Sequence, residues 1–403
     1  MYKFAHIGSG AMAWPLCLSR DVDVRAICDV HDKRRNDAIK VLEGMKAQMT
    51  ADKELTPTAG YTDYREMLDK EPLDIVGIGT PHQLHAEMAV AALEAGCHVF
   101  CEKPMAVTLE ECDRMVEAVR RTGRRLCINV GLRADAAVHT VLLERESGDL
   151  GEPYYVKSDY IHHGFPASSK DNCHFLYSPL LSFGSHPLDL ILGILGEQAS
   201  EVYAAGTRKM ADPDYKFHDT ESVLLKTADG RVGHCLVATD VRRAGFNTLQ
   251  IYAPGCDVIQ VENEYPRDDN FHGAAWAFWR GDGQRTVRTN LDLARPSGHT
   301  HADWGGHKPT IYKHAESLIM AIEHNVKPLT MADVVDGARA VAVALAAEES
   351  LRTGQPASVR QYAPLDAYDE NAPQPGIDDY FGSVLGKYFY LQERGSLRTL
   401  LFA

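Results

Sequence analysis

Several things are missing from this sequence, and each absence narrows its function. There is no apolar run near the roughly 20 residues that a membrane-crossing helix needs, so no membrane partner is expected. There is no excess of positive charge: 56 acidic residues stand against 42 Lys and Arg, for a formal charge of −14. An acidic surface repels phosphate backbones, which argues against a nucleic-acid partner. No Cys-x-x-Cys pair occurs among the nine cysteines, whose number is odd and whose spacing is irregular. That indicates neither a disulfide framework nor a zinc knuckle, and Cys28, for one, closes an apolar run as a small buried hydrophobe. Gly-x-Ser-x-Gly is absent too, which removes a serine-hydrolase signature. The stretch Met1–Gly8 has neither a long apolar core nor a small-residue cleavage site, so a reduced, cytoplasmic setting is expected.

What is present is 403 residues, 45% hydrophobic and 24% charged, enough for two or three globular domains. Up to about residue 130 short apolar strands alternate with helical stretches. The strands are Lys3–Ile7, Val22–Cys28, Leu73–Ile78, His98–Cys101 and Leu126–Val130. The helices are Ala11–Arg20, Lys33–Met49, Tyr64–Lys70, Leu84–Ala95 and Leu109–Arg121. This alternation predicts a doubly wound parallel sheet, an α/β domain over 1–130. Beyond residue 150 the strands meander, with turn signals at Asp229-Gly230 and Pro254-Gly255. They predict an α+β domain over 131–360 with an open mixed, largely antiparallel sheet, including helices over Pro187–Leu195, Thr310–His324 and Ala332–Leu351. Residues 361–403 form a C-terminal extension without an assigned role.

Gly8-Ser9-Gly10-Ala11-Met12-Ala13 has the form G-x-G-x-x-A, follows a strand, opens a helix and precedes Asp29 by 21 residues. That context marks a dinucleotide site. Gly8 permits the tight turn, Gly10 lets the pyrophosphate approach, and helix N–H groups meet its charge. Asp29 would accept from the adenosine ribose hydroxyls and repel a 2′-phosphate, so NAD is expected over NADP.

Two further motifs follow later strands: Gly79-Thr80-Pro81-His82-Gln83-Leu84-His85 and Cys101-Glu102-Lys103-Pro104. Both fall where a doubly wound sheet presents ligand groups. With the fingerprint, and with Gly184-Ser185-His186-Pro187-Leu188-Asp189 matching G-x-H-x-x-D, the chain resembles the Gfo/Idh/MocA oxidoreductase family over about residues 3 to 360. The resemblance implies a Rossmann domain followed by a sheet-bearing domain, assembly into homodimers or homotetramers, and no metal. It also implies NAD(P)-dependent oxidation of a secondary alcohol on a sugar, cyclitol or sugar derivative. Gly8, Ser9, Gly10, Ala11, Met12, Asp29, Arg34, Thr80, Pro81, His82, His85, Glu102 and Lys103 are the implied cofactor residues.

Lys103 is the first candidate for handling the hydroxyl proton, because an amine beside an oxidised nicotinamide is pushed toward its neutral form. His186 is the second, with Asp189 one helical turn on to orient it. Many family members carry Asp four residues before this His; here the position is Ser182, which still hydrogen-bonds a sugar but holds no charge. Arg133, Tyr160, His163, His174, Ser182 and His186 are the candidate substrate contacts, within a polar, aromatic inventory that also includes His162, Lys170, Asp171, Asn172 and Tyr177. The His299–His307 stretch reads as a polar loop rather than a metal site. Some relatives use bound NAD to cleave glycosides by transient oxidation, elimination and re-reduction, and that remains the alternative activity.

Overall fold

The computed structural model describes residues 1–9, 22–49, 56–134, 136–148, 150–163, 173–208, 214–241, 245–254, 256–265, 274–280, 283–289 and 309–369. In chain order the first elements are β1 (Tyr2–Ile7), β2 (Val22–Cys28), α1 (Asp32–Met49), β3 (Ala59–Tyr61), α2 (Tyr64–Lys70), β4 (Ile75–Ile78), α3 (His85–Glu94), β5 (His98–Glu102), α4 (Leu109–Thr122) and β6 (Leu126–Asn129). Next come α5 (Ala136–Glu146), β7 (Tyr155–His163), α6 (Pro179–Ser182), α7 (Ser185–Leu195), β8 (Ala199–Thr207), β9 (Thr220–Thr227) and β10 (Val232–Val241). The last are β11 (Gly245–Ala253), β12 (Cys256–Tyr265), β13 (Ala274–Arg280), β14 (Gly283–Thr289), α8 (Pro309–His324), α9 (Val334–Thr353) and β15 (Ala357–Ser358). Among the described residues no helix is long and apolar enough to cross a membrane.

The first compact unit holds a six-stranded sheet in the order β3-β2-β1-β4-β5-β6, all parallel. Its inner strands are buried because helices cover both faces of such a sheet: every residue of β4 is buried. Side chains delimit the helices. Asp63 caps α2 by accepting from Arg65 N at 2.9 Å, and Thr108 caps α4 by accepting from Glu111 N at 3.2 Å. Gly123, left-handed at φ 66°, ends α4.

This unit is not one contiguous stretch. It comprises Met1–Val130, Ile311–Ala338 and the chain from Pro364 to Asp369, where the sequence had suggested a plain break at 130. The reason is apolar burial. Ala315, Leu318, Ile319 and Ala321 of α8 pack in one cluster with Phe4, Ile75, Phe100 and Cys127. The outer edge of β6 is closed as well, by Ile128 N donating to Ala332 O at 2.8 Å and by a Cys127–Asp333 bridge. Arg125 is buried, bonded to Asn325, with the Tyr368 ring 4.4 Å away, so part of the expected 361–403 extension belongs to this unit.

The second unit, from Gly131 to Thr310 and Arg339 to Ala363, holds a nine-stranded sheet in the order β14-β13-β12-β11-β7-β10-β9-β8-β15. Among the described strands of this sheet only β7 and β10 pair in parallel; the other pairings are antiparallel. The Asp229-Gly230 turn joins β9 and β10 as the sequence suggested, with Gly230 at φ 93°. Strands β13 and β14 were not read from sequence. Helix α7 lies against the sheet closely enough that a Cβ on Gly233 would stand 2.5 Å from Ile191 Cγ2.

Candidate active site

The turn after β1 is built for close approach. Gly8 has φ 89°, and a Cβ there would lie 2.4 Å from Gly79 O, so no other residue fits. Gly8 N donates to Cys28 O at 2.8 Å and Gly79 N to Ile7 O at 2.9 Å, which ties the ends of β1, β2 and β4 together. These ends flank the point where strand order reverses, the usual place for a dinucleotide. Gly10, Ala11, Met12 and the expected helix Ala11–Arg20 lie outside the described residues.

Asp29 follows β2 and is half-buried. Its Oδ2 accepts from Ser9 N at 2.8 Å and from the Ser9 hydroxyl, and its Oδ1 from His31 N at 2.8 Å. Burial pushes this carboxyl up, but these hydrogen bonds outweigh it and hold it below the usual carboxylate range. Asp29 is therefore ionised at neutral pH, with Oδ1 keeping room for a further donor. Arg34 is exposed; its neighbour Arg35 donates to Asp29 O at 3.0 Å and pairs with Asp32 at 2.8 Å.

The ends of β4 and β5 bring the other N-terminal candidates together. Thr80 is half-buried, Pro81 exposed, and His82, His85, Glu102 and Lys103 buried. The His85 ring bridges the two turns, with Nδ1 2.8 Å from Pro104 O and Nε2 2.8 Å from Thr80 O. Both carbonyls would suit a protonated ring, yet burial, reinforced by the Lys103 charge, keeps the His85 pKa below its ordinary value. His82 packs edge-on to His85 at 5.7 Å, and burial with the Lys103 charge lowers its pKa to about 2. Glu102 accepts from Asn129 Nδ2 at 2.6 Å. Burial pushes its carboxyl up to about 7, against the Asn129 hydrogen bond and the nearby Lys103 charge. The Lys103–Pro104 peptide is cis. A buried amine among a buried carboxyl and two neutral imidazoles is equipped to exchange a proton.

In the second unit Asp189 does not stand as a simple orienter of His186. Arg133 grips it as a fork, Nε to Oδ2 and Nη2 to Oδ1, both at 2.6 Å, and both residues are buried. Gly193, one turn further along α7, leaves room for that guanidinium: a Cβ there would be 3.4 Å from Arg133 Nη2. Arg133, expected to contact substrate, thus gives two of its donors to a buried ion pair.

His186 is half-buried in the first turn of α7, with its ring stacked on Tyr160 at 5.2 Å and 18°. Around them stand Phe183, stacked on His174 at 4.8 Å, and His162, 6.2 Å from Tyr160. The structure brings Tyr160, His174 and His186 into one aromatic cluster. His162 is the β7 histidine in it, while the side chain of His163 lies outside the described residues. Ser182, expected to bind a sugar, is wholly buried in α6 and offers a ligand no surface. Lys170, Asp171, Asn172 and the His299–His307 stretch lie outside the described residues. Among the described residues no three His, Cys, Asp or Glu side chains are grouped so as to hold a metal ion.

Sequence reasoning missed two acidic residues, the buried Glu221 and the half-buried Glu348. Glu221 on β9 accepts from Leu180 N at 2.9 Å, and Glu348 on α9 accepts from the Ser178 hydroxyl. Burial, reinforced by Glu348 and Asp219, pushes Glu221 up to about 8. No motif announces contacts made across 41 and 170 residues of sequence.

Residues 3–130 match the family described as "Oxidoreductase family, NAD-binding Rossmann fold", and residues 144–254 match "GFO/IDH/MocA C-terminal domain". Inositol 2-dehydrogenase of Salmonella typhimurium (strain LT2) is 28% identical over 211 residues, 52% of this chain and 57% of that protein. Glycosyl hydrolase family 109 protein 1 of Shewanella sp. (strain ANA-3) is 32% identical over 146 residues, 36% of this chain and 31% of that protein. The chain thus aligns with only about half, or less, of these relatives' lengths. Among solved structures, levoglucosan dehydrogenase in complex with NADH superposes with a TM-score of 0.71 at 22% identity, covering 90% of this chain and 100% of that one. Myo-inositol 2-dehydrogenase from Lactobacillus plantarum gives 0.65 at 20%, covering 89% and 99%, a likeness of fold. With its parallel dinucleotide-type sheet, its mixed second sheet and family matches to both, the chain belongs to the Gfo/Idh/MocA family of NAD(P)-binding oxidoreductases.

Proposed function

We propose that the protein is an NAD-dependent dehydrogenase acting on a secondary alcohol of a sugar, cyclitol or sugar derivative. The observation that carries this reading is the buried Lys103 amine at the end of β5, beside Glu102 and two neutral histidines. Bound nicotinamide supplies the hydride acceptor or donor. Lys103 takes the hydroxyl proton in oxidation and returns it in reduction. Gly8 makes the tight turn against Gly79 that closes the fingerprint loop, and His85 holds the Thr80 and Pro104 turns in register. On the second unit His186 is the proton-handling candidate, and the half-buried His174 beside Phe183 is the candidate sugar contact. Lys103→Ala should lower kcat by roughly 10²–10⁴-fold while NAD binding stays measurable; turnover at the wild-type rate would refute the assignment.

The cofactor reading rests on Asp29, whose ionised carboxylate favours a ribose diol and repels a 2′-phosphate. Titration of cofactor fluorescence should give tighter binding of NADH than of NADPH, and Asp29→Ser should narrow the gap. Equal affinities in the wild type would count against it. We also assign a homodimer or homotetramer, which light scattering measures.

A second reading is favoured by the 32% identity to a glycosyl hydrolase family 109 protein: glycoside cleavage with NAD turned over internally. Incubation with NAD and a panel of polyols and aryl glycosides separates the two. Net NADH formation supports the dehydrogenase, and aglycone release without net NADH supports the hydrolase.

A further inference from the structure

The rings around His186 form a continuous parallel stack. His174 lies on Phe183 at 4.8 Å and 21°, Phe183 on Tyr160 at 6.4 Å and 20°, and Tyr160 on His186 at 5.2 Å and 18°. His162 flanks Tyr160 at 6.2 Å and 21°, and Phe183 at 5.5 Å. Separations of this size with near-parallel planes are those of favourable offset stacking. The stack is anchored unevenly. Phe183 is buried, whereas His186, Tyr160, His162 and His174 are half-buried.

Tyr160 is the fixed member. It lies on β7, paired on one side with Val237 of β10 and on the other with Asn247 of β11, so its backbone is held from both flanks. His186 is fixed differently. Helix α7 buries Leu188, Ile191, Ile194 and Leu195, and the Arg133 fork on Asp189 holds the same turn. The helix therefore sets where the His186 Cβ stands but leaves the ring two torsions. A flat partner at stacking distance selects one ring plane, and with it the direction of both nitrogens.

We infer that Tyr160 is a positioning residue for His186, acting through its ring face rather than its hydroxyl. This reassigns it from the substrate contact suggested by sequence and rests on the dehydrogenase reading for its catalytic meaning. A proton-transferring group held off its direction loses rate more than it loses substrate, so the effect belongs in kcat.

The test compares Tyr160→Leu with Tyr160→Phe in the full chain with NAD. Tyr160→Leu should lower kcat by about tenfold or more, with KM within about threefold and NAD affinity unmoved. Tyr160→Phe, which keeps the ring, should restore kcat to within about threefold of wild type. Proton NMR supplies a readout independent of turnover. The His186 Hε1 resonance, assigned by its loss in His186→Gln, should lose its ring-current shift in Tyr160→Leu and keep it in Tyr160→Phe. A Leu variant with wild-type kcat, or with an unmoved Hε1, would overturn the inference. So would a Phe variant as slow as the Leu variant, which would assign the role to the hydroxyl. Should the wild type oxidise no polyol at all, the dehydrogenase reading falls, while the resonance comparison still decides the stacking. A Leu variant that fails to fold leaves the same decision to the Phe variant, whose kcat and Hε1 must both stay near wild type.

Discussion

At the scale of single residues, burial sets the chemistry more than charge count does. Glu221 shows this with a sign that can be worked through. Its folded carboxyl titrates at about 8, against an ordinary value near 4.5, so the folded state holds a proton that the unfolded chain releases. Stability from this group is complete below pH 4.5 and is lost as pH rises through 8. Glu221→Gln keeps an acceptor for Leu180 N and removes the titration. Denaturant melts should find the variant more stable than wild type at pH 8 and equal to it near pH 4.5. A variant less stable at pH 8 would show that the carboxylate is held charged.

Residue identity was legible where a motif fixes it and opaque where a distant partner does. Gly8 and Asp29 were readable because a tight turn followed by a carboxylate is local information, and the Ser9–Asp29 hydrogen bonds agree with it. The burial of Ser182 was not, because exposure depends on what packs around α6. His162 was passed over in favour of His163 because strand alternation assigns faces only after the core side of β7 is known.

At the scale of elements, α7 carries the load. Its apolar residues made the helix visible in sequence, but the Arg133–Asp189 pair that fixes its first turns spans 56 residues and was not visible. A buried fork broken from one side strands the other charge. Asp189→Leu or Arg133→Met alone should each cost about 3–5 kcal/mol in denaturant melts, and the double variant less than the sum. Additive losses would mean that the two charges are satisfied elsewhere. Strands β13 and β14 escaped sequence reading for a related reason: their pairing, Trp276 opposite Val261 and Trp279 opposite Val258, is a matter of register with β12.

At the scale of the whole molecule, the two family matches cover the first sheet and strands β7–β11 of the second, whereas the segments that complete the first unit lie outside both of them. The fragment 1–130 should therefore not behave as a domain, although its strands alternate like one. Without Ala315, Leu318 and Ile319 its Phe4–Phe100 face is bare, and without Ala332 and Asp333 the edge of β6 is open for pairing. Size-exclusion chromatography and circular dichroism should find aggregate or unfolded chain. A monomer melting cooperatively would contradict the role given to these segments.

The closure of β6 by Ala332 and Asp333 also has a meaning in time. A chain is made from its N-terminus, and a domain whose pieces are adjacent folds as soon as it leaves the ribosome. Here the first strand emerges some 300 residues before the segment that seals the last one. The first unit must wait through the synthesis of strands β7–β14 with one apolar face and one strand edge exposed, and it is during that interval, rather than after it, that mispairing has its opportunity.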